Sequence, residues 1–214
     1  MGRTRDVSKI LTANTSILTL ASASATYAPI AAGGLVQLVP SSVAATGGTA
    51  TISTNGTVTL GSGISSISFN NVFSSTYQNY MITASELKGN GTGSYFGMRM
   101  RVNDTDNSSS NYKRVDLQSY STTTATVSYI NETRMLSLFS YDYNGNSDWS
   151  GLAYVYGPQS STAYTTVIAI STTGTNQNIN SYNTTVTTSY TGFTLITGGG
   201  TVAGGKISIY GIRN

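Results

Sequence analysis

The segment Tyr95-Phe-Gly-Met-Arg-Met-Arg-Val-Asn103 alternates apolar side chains with glycine and arginine. Successive side chains of a β-strand point to opposite faces of the sheet, so such alternation predicts a strand with one buried face and one solvated face. The predicted buried face consists of Phe96, Met98, Met100 and Val102. The predicted solvated face consists of Gly97, Arg99 and Arg101.

The same two-residue period recurs in much of the segment 61–214, for example at Ile168 and Ile170 and at Ile207 and Ile209. Glycine, asparagine and serine separate the alternating runs, which is typical of turns between antiparallel strands. We therefore predict an all-β chain, an antiparallel jelly-roll-like β-sandwich. The predicted strands are 64–69, 78–86, 95–103, 112–120, 125–130, 134–142, 150–157, 163–171, 184–189, 193–197 and 205–212.

Charge is distributed very unevenly along the chain. No charged residue occurs between Lys9 and Glu86, and charged residues make up 9% of the protein, against about a quarter in an average soluble domain. Neutral side chains avoid the desolvation cost that buried charges incur. The neutral tract therefore predicts a surface that lies against other protein chains.

Two segments precede the predicted sandwich head domain, 61–214. Residues 1–14 are predicted to be a docking segment, in which basic residues contact carboxylates and apolar residues fill a groove. Residues 15–60 are low in complexity, and two interpretations remain open: a linker, or a shaft that packs between chains. Within them, Asn55-Gly56 predicts a hairpin with a two-residue type I′ turn. The docking residues are Arg3, Arg5, Val7, Lys9, Ile10 and Leu11.

The residue types argue against an enzyme. The chain contains no histidine and no cysteine, and serine catalysis needs a base, usually histidine. Oxygen ligands alternate in Asn103–Asn111, but the glycine and glutamate of a calcium loop are missing, so we interpret it as a connecting loop. We expect no metal and no cofactor. Asp142 with Asp148 remains as a carboxylate pair for glycoside hydrolysis.

Net charge and hydropathy argue against two further kinds of interaction, nucleic-acid binding and a membrane span. The net charge is +3, and the segment 86–214 carries eight cations against seven anions, so no broad basic face for nucleic acid is expected. No run approaches the length of about 18 apolar residues that a membrane span requires.

Aromatic residues cluster in the middle of the predicted head. Tyrosine and tryptophan offer a large contact area with one polar group, which suits protein interfaces and sugar stacking. Two uses remain open, a receptor contact and a subunit interface, and we favour the subunit interface. The residues are Tyr141, Tyr143, Trp149, Tyr154 and Tyr156.

Three stretches of the head carry a resemblance to a known group of proteins: Ile67–Tyr77, Met98–Asp104 and Gly204–Asn214. They resemble bacteriophage virion proteins, especially fibre and decoration-type proteins of marine and cyanobacterial phages. Gly2–Asp6 and Ala23–Tyr27 are similar to N-terminal parts of phage fibres.

The resemblance implies a homotrimeric β-structured appendage located in the virion. Its N-terminus would dock on other virion proteins, and its head would point outward, where a host surface glycan is a candidate partner. The expected function is therefore a fibre or spike subunit for host attachment. Two alternatives remain: a capsid decoration (cement) protein with no receptor role, and a polysaccharide depolymerase. The resemblance implies no catalytic residue.

Overall fold

The computed structural model of the protein describes residues 34–90, 95–120, 123–139, 149–173 and 176–213. These ranges contain sixteen strands and no helix, hence none that is long and apolar enough to cross a membrane. The strands are β1 (Leu35–Leu38), β2 (Ser42–Thr46), β3 (Ala50–Ile52), β4 (Val58–Leu60), β5 (Ser66–Asn70), β6 (Asn79–Asn90), β7 (Phe96–Val102), β8 (Thr105–Asp106), β9 (Tyr112–Tyr120), β10 (Thr123–Glu132), β11 (Met135–Phe139), β12 (Trp149–Tyr156), β13 (Thr166–Thr173), β14 (Asn176–Thr184), β15 (Gly192–Thr197) and β16 (Thr201–Ile212).

The strands form two antiparallel sheets. The large sheet has ten strands in the order β10-β9-β14-β13-β12-β6-β16-β4-β3, with β1 also paired to β16. The small sheet has six strands in the order β11-β7-β15-β5-β2, with β8 paired to β7. The sheets pack as a jelly-roll-like sandwich around one hydrophobic core, so the predicted fold class is confirmed.

Aromatic rings join the two sheets in this core. Phe193 of the small sheet stacks on Phe69, with 4.7 Å between ring centroids, and lies 5.7 Å from Phe73. Phe73 in turn lies 4.7 Å from the ring of Tyr80 in the large sheet. The buried Tyr80 hydroxyl donates a hydrogen bond to the carbonyl of Ser74 at 2.7 Å, so this polar group is satisfied inside the core.

The alternating segment 95–103 has the predicted arrangement. Strand β7 buries its methionine and phenylalanine side chains completely, while its arginines lie on the partly exposed side. Arg101 forms an ion pair with Asp106 and donates a hydrogen bond to Thr194 Oγ1 at 2.7 Å. The two faces of β7 therefore separate core packing from a polar network, as the sequence indicates.

The described part of the predicted shaft belongs to the sandwich. Leu35–Asn214 form one compact unit, and no gap in the sheets occurs at residue 60. Val58 and Leu60 are core residues of the large sheet. The strands of 34–60 thus have partners within their own chain, and interchain packing by residues 15–60 stays a prediction. Residues 1–33, with the docking segment, lie outside the described residues.

The hairpin at residues 50–60 forms with a different turn from the predicted one. Ser53 N donates to Thr57 O at 2.9 Å, which leaves a three-residue loop, Thr54–Gly56, instead of a two-residue turn. Gly56 alone takes a positive φ, of 90°, whereas a type I′ turn requires positive φ at both central residues. The Asn55 carboxamide oxygen accepts a hydrogen bond from Thr57 N at 3.2 Å and stabilises the longer loop.

Strand β14 was not predicted, and the strand expected at 184–189 is wrong. Asparagine is depleted in strands, so the asparagine-rich Asn176–Thr184 lacks the usual sequence signal. Pairing with β13 on one side and β9 on the other holds this segment in the large sheet. Tertiary pairing here overrides local propensity.

The aromatic contact between the sheets generates a stability prediction. Replacing Phe193→Ala should lower the free energy of unfolding by about 3–5 kcal/mol, because the cavity between Phe69 and Phe73 cannot fully collapse. Urea unfolding measures this loss. Tyr164→Ala is the control, since that ring is 58% exposed. A loss at Phe193 of less than about 1 kcal/mol would contradict the assigned core.

Candidate interaction surface

The solvent-facing side of the large sheet, called the outer face below, carries rows of apolar side chains. The strand register aligns one residue from each of four adjacent strands. In each strand, a residue that neighbours the aligned one in the sequence is buried. Because side chains alternate along a strand, the aligned residues must point away from the core. This first row consists of Leu117 on β9, Ile179 on β14, Ile170 on β13 and Leu152 on β12.

A second row lies parallel to the first and extends further across the sheet. It consists of Val115, Ser181, Ile168, Tyr154, Met81 and Tyr210. Among the described residues, eleven large hydrophobic side chains are exposed, and seven of them lie on the outer face. Those seven are Leu35, Val115, Leu117, Tyr156, Ile168, Ile170 and Ile179.

The centre of the outer face is also free of charge. Antiparallel sheets with one solvated face usually place polar residues outward. On this face charge lies at the margins: Glu86 and Lys88 at the far end of β6 and Lys206 on β16 are exposed, and Lys113 is the one charged residue at the outward positions of β9, β14, β13, β12 and the first half of β6. These positions are Lys113, Val115, Leu117 and Ser119 on β9; Gln177, Ile179, Ser181 and Asn183 on β14; Thr166, Ile168, Ile170 and Thr172 on β13; Ser150, Leu152, Tyr154 and Tyr156 on β12; and Asn79, Met81 and Thr83 on β6. A contiguous exposed apolar patch of this kind marks an interaction site.

A shallow depression of about 340 Å³ lies in the middle of the outer face. It spans three adjacent strands, β6, β12 and β13, and its walls are almost entirely apolar. An apolar side chain of a partner could enter the depression, because almost no polar group in its walls would lose hydrogen bonds to water. The lining residues are Thr83, Ser150, Gly151, Leu152, Ile170 and Thr172.

The aromatic residues proposed from the sequence as interface residues are separated by the structure. Tyr154 and Tyr156 lie on the outer face, with their rings stacked 6.3 Å apart. Trp149 is 1% exposed and packs 5.7 Å from the ring of Phe96, so its prediction as a surface contact is wrong. Strand alternation from Tyr154 and Tyr156 puts Trp149 on the opposite, inner side. Tyr141 and Tyr143 lie outside the described residues.

The aliphatic residues of the outer face were missed by sequence reasoning, although a signal exists. The run Thr166-Val-Ile-Ala-Ile170 is apolar at four successive positions, which is typical of a strand covered on both faces. Val167 and Ala169 occupy the core, and Ile168 and Ile170 point outward.

Behind the outer face, β9 buries an ion pair. Arg114 Nε lies 3.1 Å from Asp116 Oδ2, and the Arg114 guanidinium stacks over the ring of Tyr129 at 4.3 Å from its centroid. Asp116 is fully buried. Burial raises the pKa of Asp116 to about 6, and the positive charge of Arg114 opposes that rise. This pair is a source of pH-dependent stability.

A second concave site lies at one end of the sandwich, between the loop before β6 and the loop after β12. The cleft has a volume of about 590 Å³ and neutral walls that are about equally polar and apolar. Gln159 is held in place by a hydrogen bond from its amide to the carbonyl of Phe73 at 3.2 Å. The cleft is lined by Ser75, Thr76, Tyr77, Gln78, Gly157, Gln159, Ser160 and Ala163.

The acidic side chains of the described residues do not assemble into a metal site. Within the described ranges, no group of three or more acidic, histidine or cysteine side chains could hold a metal ion. In the loop Asn103–Asn111, Asp106 accepts a hydrogen bond from Thr194 Oγ1 at 2.6 Å, and the Asn107 carboxamide accepts one from Ser109 N at 3.3 Å. Asp142 lies outside the described residues, as does Asp148.

Comparison with family models and curated proteins finds no match, whereas a comparison with solved structures does. No family model matches the chain, and no curated protein matches it. Among solved structures, a seed lectin (isoform) of Lotus tetragonolobus aligns with 79% of this chain and 93% of the lectin, at 12% identity and a TM-score of 0.19. A likeness at that TM-score supports no conclusion about fold or ligand.

The buried ion pair predicts how stability depends on pH. The folded chain binds the Asp116 proton more tightly than the unfolded chain, because the folded pKa of about 6 exceeds the ordinary value of 3.8. The contribution of Asp116 to stability is therefore greatest below pH 3.8 and falls as the pH rises through about 6. The full change amounts to at most about 3 kcal/mol.

Thermal unfolding of the wild type and of Asp116→Asn at a series of pH values measures this effect. In the wild type, titration of Asp116 should contribute to a decline in Tm between pH 4 and 6. This contribution should be absent in Asp116→Asn. Asp104→Asn, at an exposed position, should keep the wild-type profile. An unchanged profile in Asp116→Asn would show that the carboxyl titrates as it does in the unfolded chain.

Proposed function

We propose that this chain is a structural subunit of a bacteriophage virion, a fibre or spike that is anchored by its N-terminus and presents the β-sandwich for host attachment. The observation that carries the proposal is the outer face, where exposed isoleucine, valine and leucine lie around the depression and charged residues stand only at the margins. A protein built into a larger particle has a partner for such a face.

Two features of the sequence support the same proposal. The resemblance of Ile67–Tyr77, Met98–Asp104 and Gly204–Asn214 to phage fibre and decoration-type proteins points to a virion role. The neutral tract between Lys9 and Glu86 fits a chain that is packed against protein over much of its length. We propose a homotrimer, as is expected from that resemblance.

The N-terminal anchor rests on the sequence, since residues 1–14 lie outside the described part. Arg3, Arg5 and Lys9 would pair with carboxylates of another virion protein. Val7, Ile10 and Leu11 would fill an apolar groove, in the manner of an amphipathic helix in a groove.

The neutral cleft beside Tyr77 is the proposed contact with a host surface glycan. Concave sites with an apolar wall and a few placed polar groups are the usual form of small-ligand sites. Tyr77 offers a ring on which a sugar can stack, while serine, threonine and glutamine side chains offer hydrogen bonds to hydroxyl groups. No charged residue lines the cleft, which suits a neutral saccharide.

A capsid decoration protein is the alternative that a structural observation also favours. The outer face is broad and uncharged along its two apolar rows, so it could clamp onto an apolar area of a capsid shell and have no receptor role. Binding of the detached protein to cells separates the two functions, because only a fibre or spike binds a host. A depolymerase would need Asp142 and Asp148, which the structure does not describe.

Deleting residues 1–14 should abolish binding to virions that lack the protein, because the anchor is lost, and should leave cell binding unchanged. Pelleting assays with purified virions and flow cytometry on marine and cyanobacterial strains measure the two activities. A full-length chain that binds virions but no strain would favour the decoration protein. Virion binding by the deleted chain at the full-length level would contradict the proposed anchor.

Filling the cleft tests the receptor contact. Ala163→Trp places an indole in the cleft at an exposed position and should reduce cell binding by at least about tenfold, as expected when a small-ligand contact is blocked. Ser161→Trp is the matched control, since this exposed neighbour does not line the cleft. Equal cell binding by both variants would exclude the cleft as the receptor site.

A further inference from the structure

We infer that the outer face of the large sheet binds further copies of the same chain, so that the sandwich heads contact one another through it. This inference rests on the proposed function, because a virion fibre or spike supplies the other copies. It goes further by assigning the contact to named strands, β9, β14, β13, β12, β6 and β16.

The chemistry of the face selects its partner. Removing an unpaired charge from water is costly, so a partner surface must be apolar and uncharged wherever it covers the rows of Leu117 and Val115. The outer face itself has these properties. Its charged residues stand to either side of both apolar rows: Lys113 in the row of Thr166 and Tyr156, and Lys206 with its ion-pair partner Glu86 beyond the row of Leu117.

The size of the face fits a stable protein interface. With strands about 4.8 Å apart and a two-residue repeat of about 6.8 Å, six strands with four outward positions each cover roughly 800 Å². A standard protein interface buries about 800 Å² on each partner. In a cyclic trimer the face is divided between two neighbours, about 400 Å² with each, so one subunit buries in total about as much surface as one partner of a standard interface.

The outer face has two chemically different halves. One half, on β9, β14 and β13, is aliphatic; the other, on β12, β6 and β16, carries tyrosines and a methionine, and the depression lies where the halves meet. A cyclic trimer has heterologous interfaces, in which each subunit offers two different surfaces to its two neighbours. The halves provide such a pair of surfaces. Their residues are Val115, Leu117, Ile168, Ile170 and Ile179, and then Met81, Tyr154, Tyr156 and Tyr210.

An N-terminal anchor would strengthen this contact. Three chains held together at one end keep their heads at an effective concentration in the millimolar range. The contact, which already forms between free chains, is then essentially complete on the particle. The anchor and the outer face are therefore two separate interactions that stabilise the same assembly.

The first test measures the mass of the full-length chain by light scattering after gel filtration. The wild type should have three times the chain mass of 22.4 kDa, whereas Ile170→Lys and Ile179→Lys should shift toward the monomer, because each places a charge inside the contact. Ile130→Lys is the matched control, since Ile130 is 66% exposed and lies on β10, outside the strands assigned to the contact. Equal melting temperatures exclude misfolding as the cause.

The two proposals fail differently in this experiment. If Ile170→Lys and Ile179→Lys both remain trimers, the face is not the contact and the inference is overturned, while anchoring and cell binding of the fibre are untouched. A monomeric wild type also overturns the inference. Virion and cell binding then decide separately whether the proposed function stands.

A second test uses the absence of cysteine from the chain, which makes any introduced thiol unique. In Ile170→Cys the thiol should react with a maleimide several-fold more slowly than in Ile130→Cys, because a neighbouring copy covers it. Equal rates would overturn the inference. Protection of Ile170→Cys in a chain of monomeric mass would also overturn it, since residues 1–33 of the same chain would then be the cover.

Discussion

The large sheet carries apolar side chains on both of its faces, and the small sheet covers one of them. Period-two alternation makes this unavoidable on β13, where Val167 and Ala169 enter the core and Ile168 and Ile170 point away from it. The core side is completed by Phe69, Phe73 and Phe193 within the chain. The outer side has no cover among the described residues, and the proposed interactions of the protein depend on this difference between the two faces.

The fold class could be predicted because β7 follows the alternation rule closely, with its apolar residues buried and its arginines paired outside. The rule fails on β9, where Arg114 and Asp116 point inward and Val115 and Leu117 point outward. A reader of the sequence would assign the faces of β9 the other way round. The ion pair of Arg114 with Asp116 and the stacking on Tyr129 make the inverted arrangement tolerable, and those contacts come from tertiary structure alone.

The candidate site was predicted in part. Tyr154 and Tyr156 could be found because tyrosines two apart in a strand share a face. Trp149 belongs to the same strand but to its other face, and the sequence gives no sign of which face is buried. The aliphatic rows depend on the registers between β9, β14, β13 and β12, and β14 is too rich in asparagine to be recognised as a strand. Long-range pairing, which local patterns do not encode, therefore creates the surface.

The most direct measurement is an electron cryo-microscopy structure of the assembled full-length protein. The account predicts that Leu117, Ile170 and Tyr154 lie in van der Waals contact with a neighbouring copy, with water excluded between the sheets. An assembly whose subunits meet elsewhere, with these three side chains facing solvent, would contradict it.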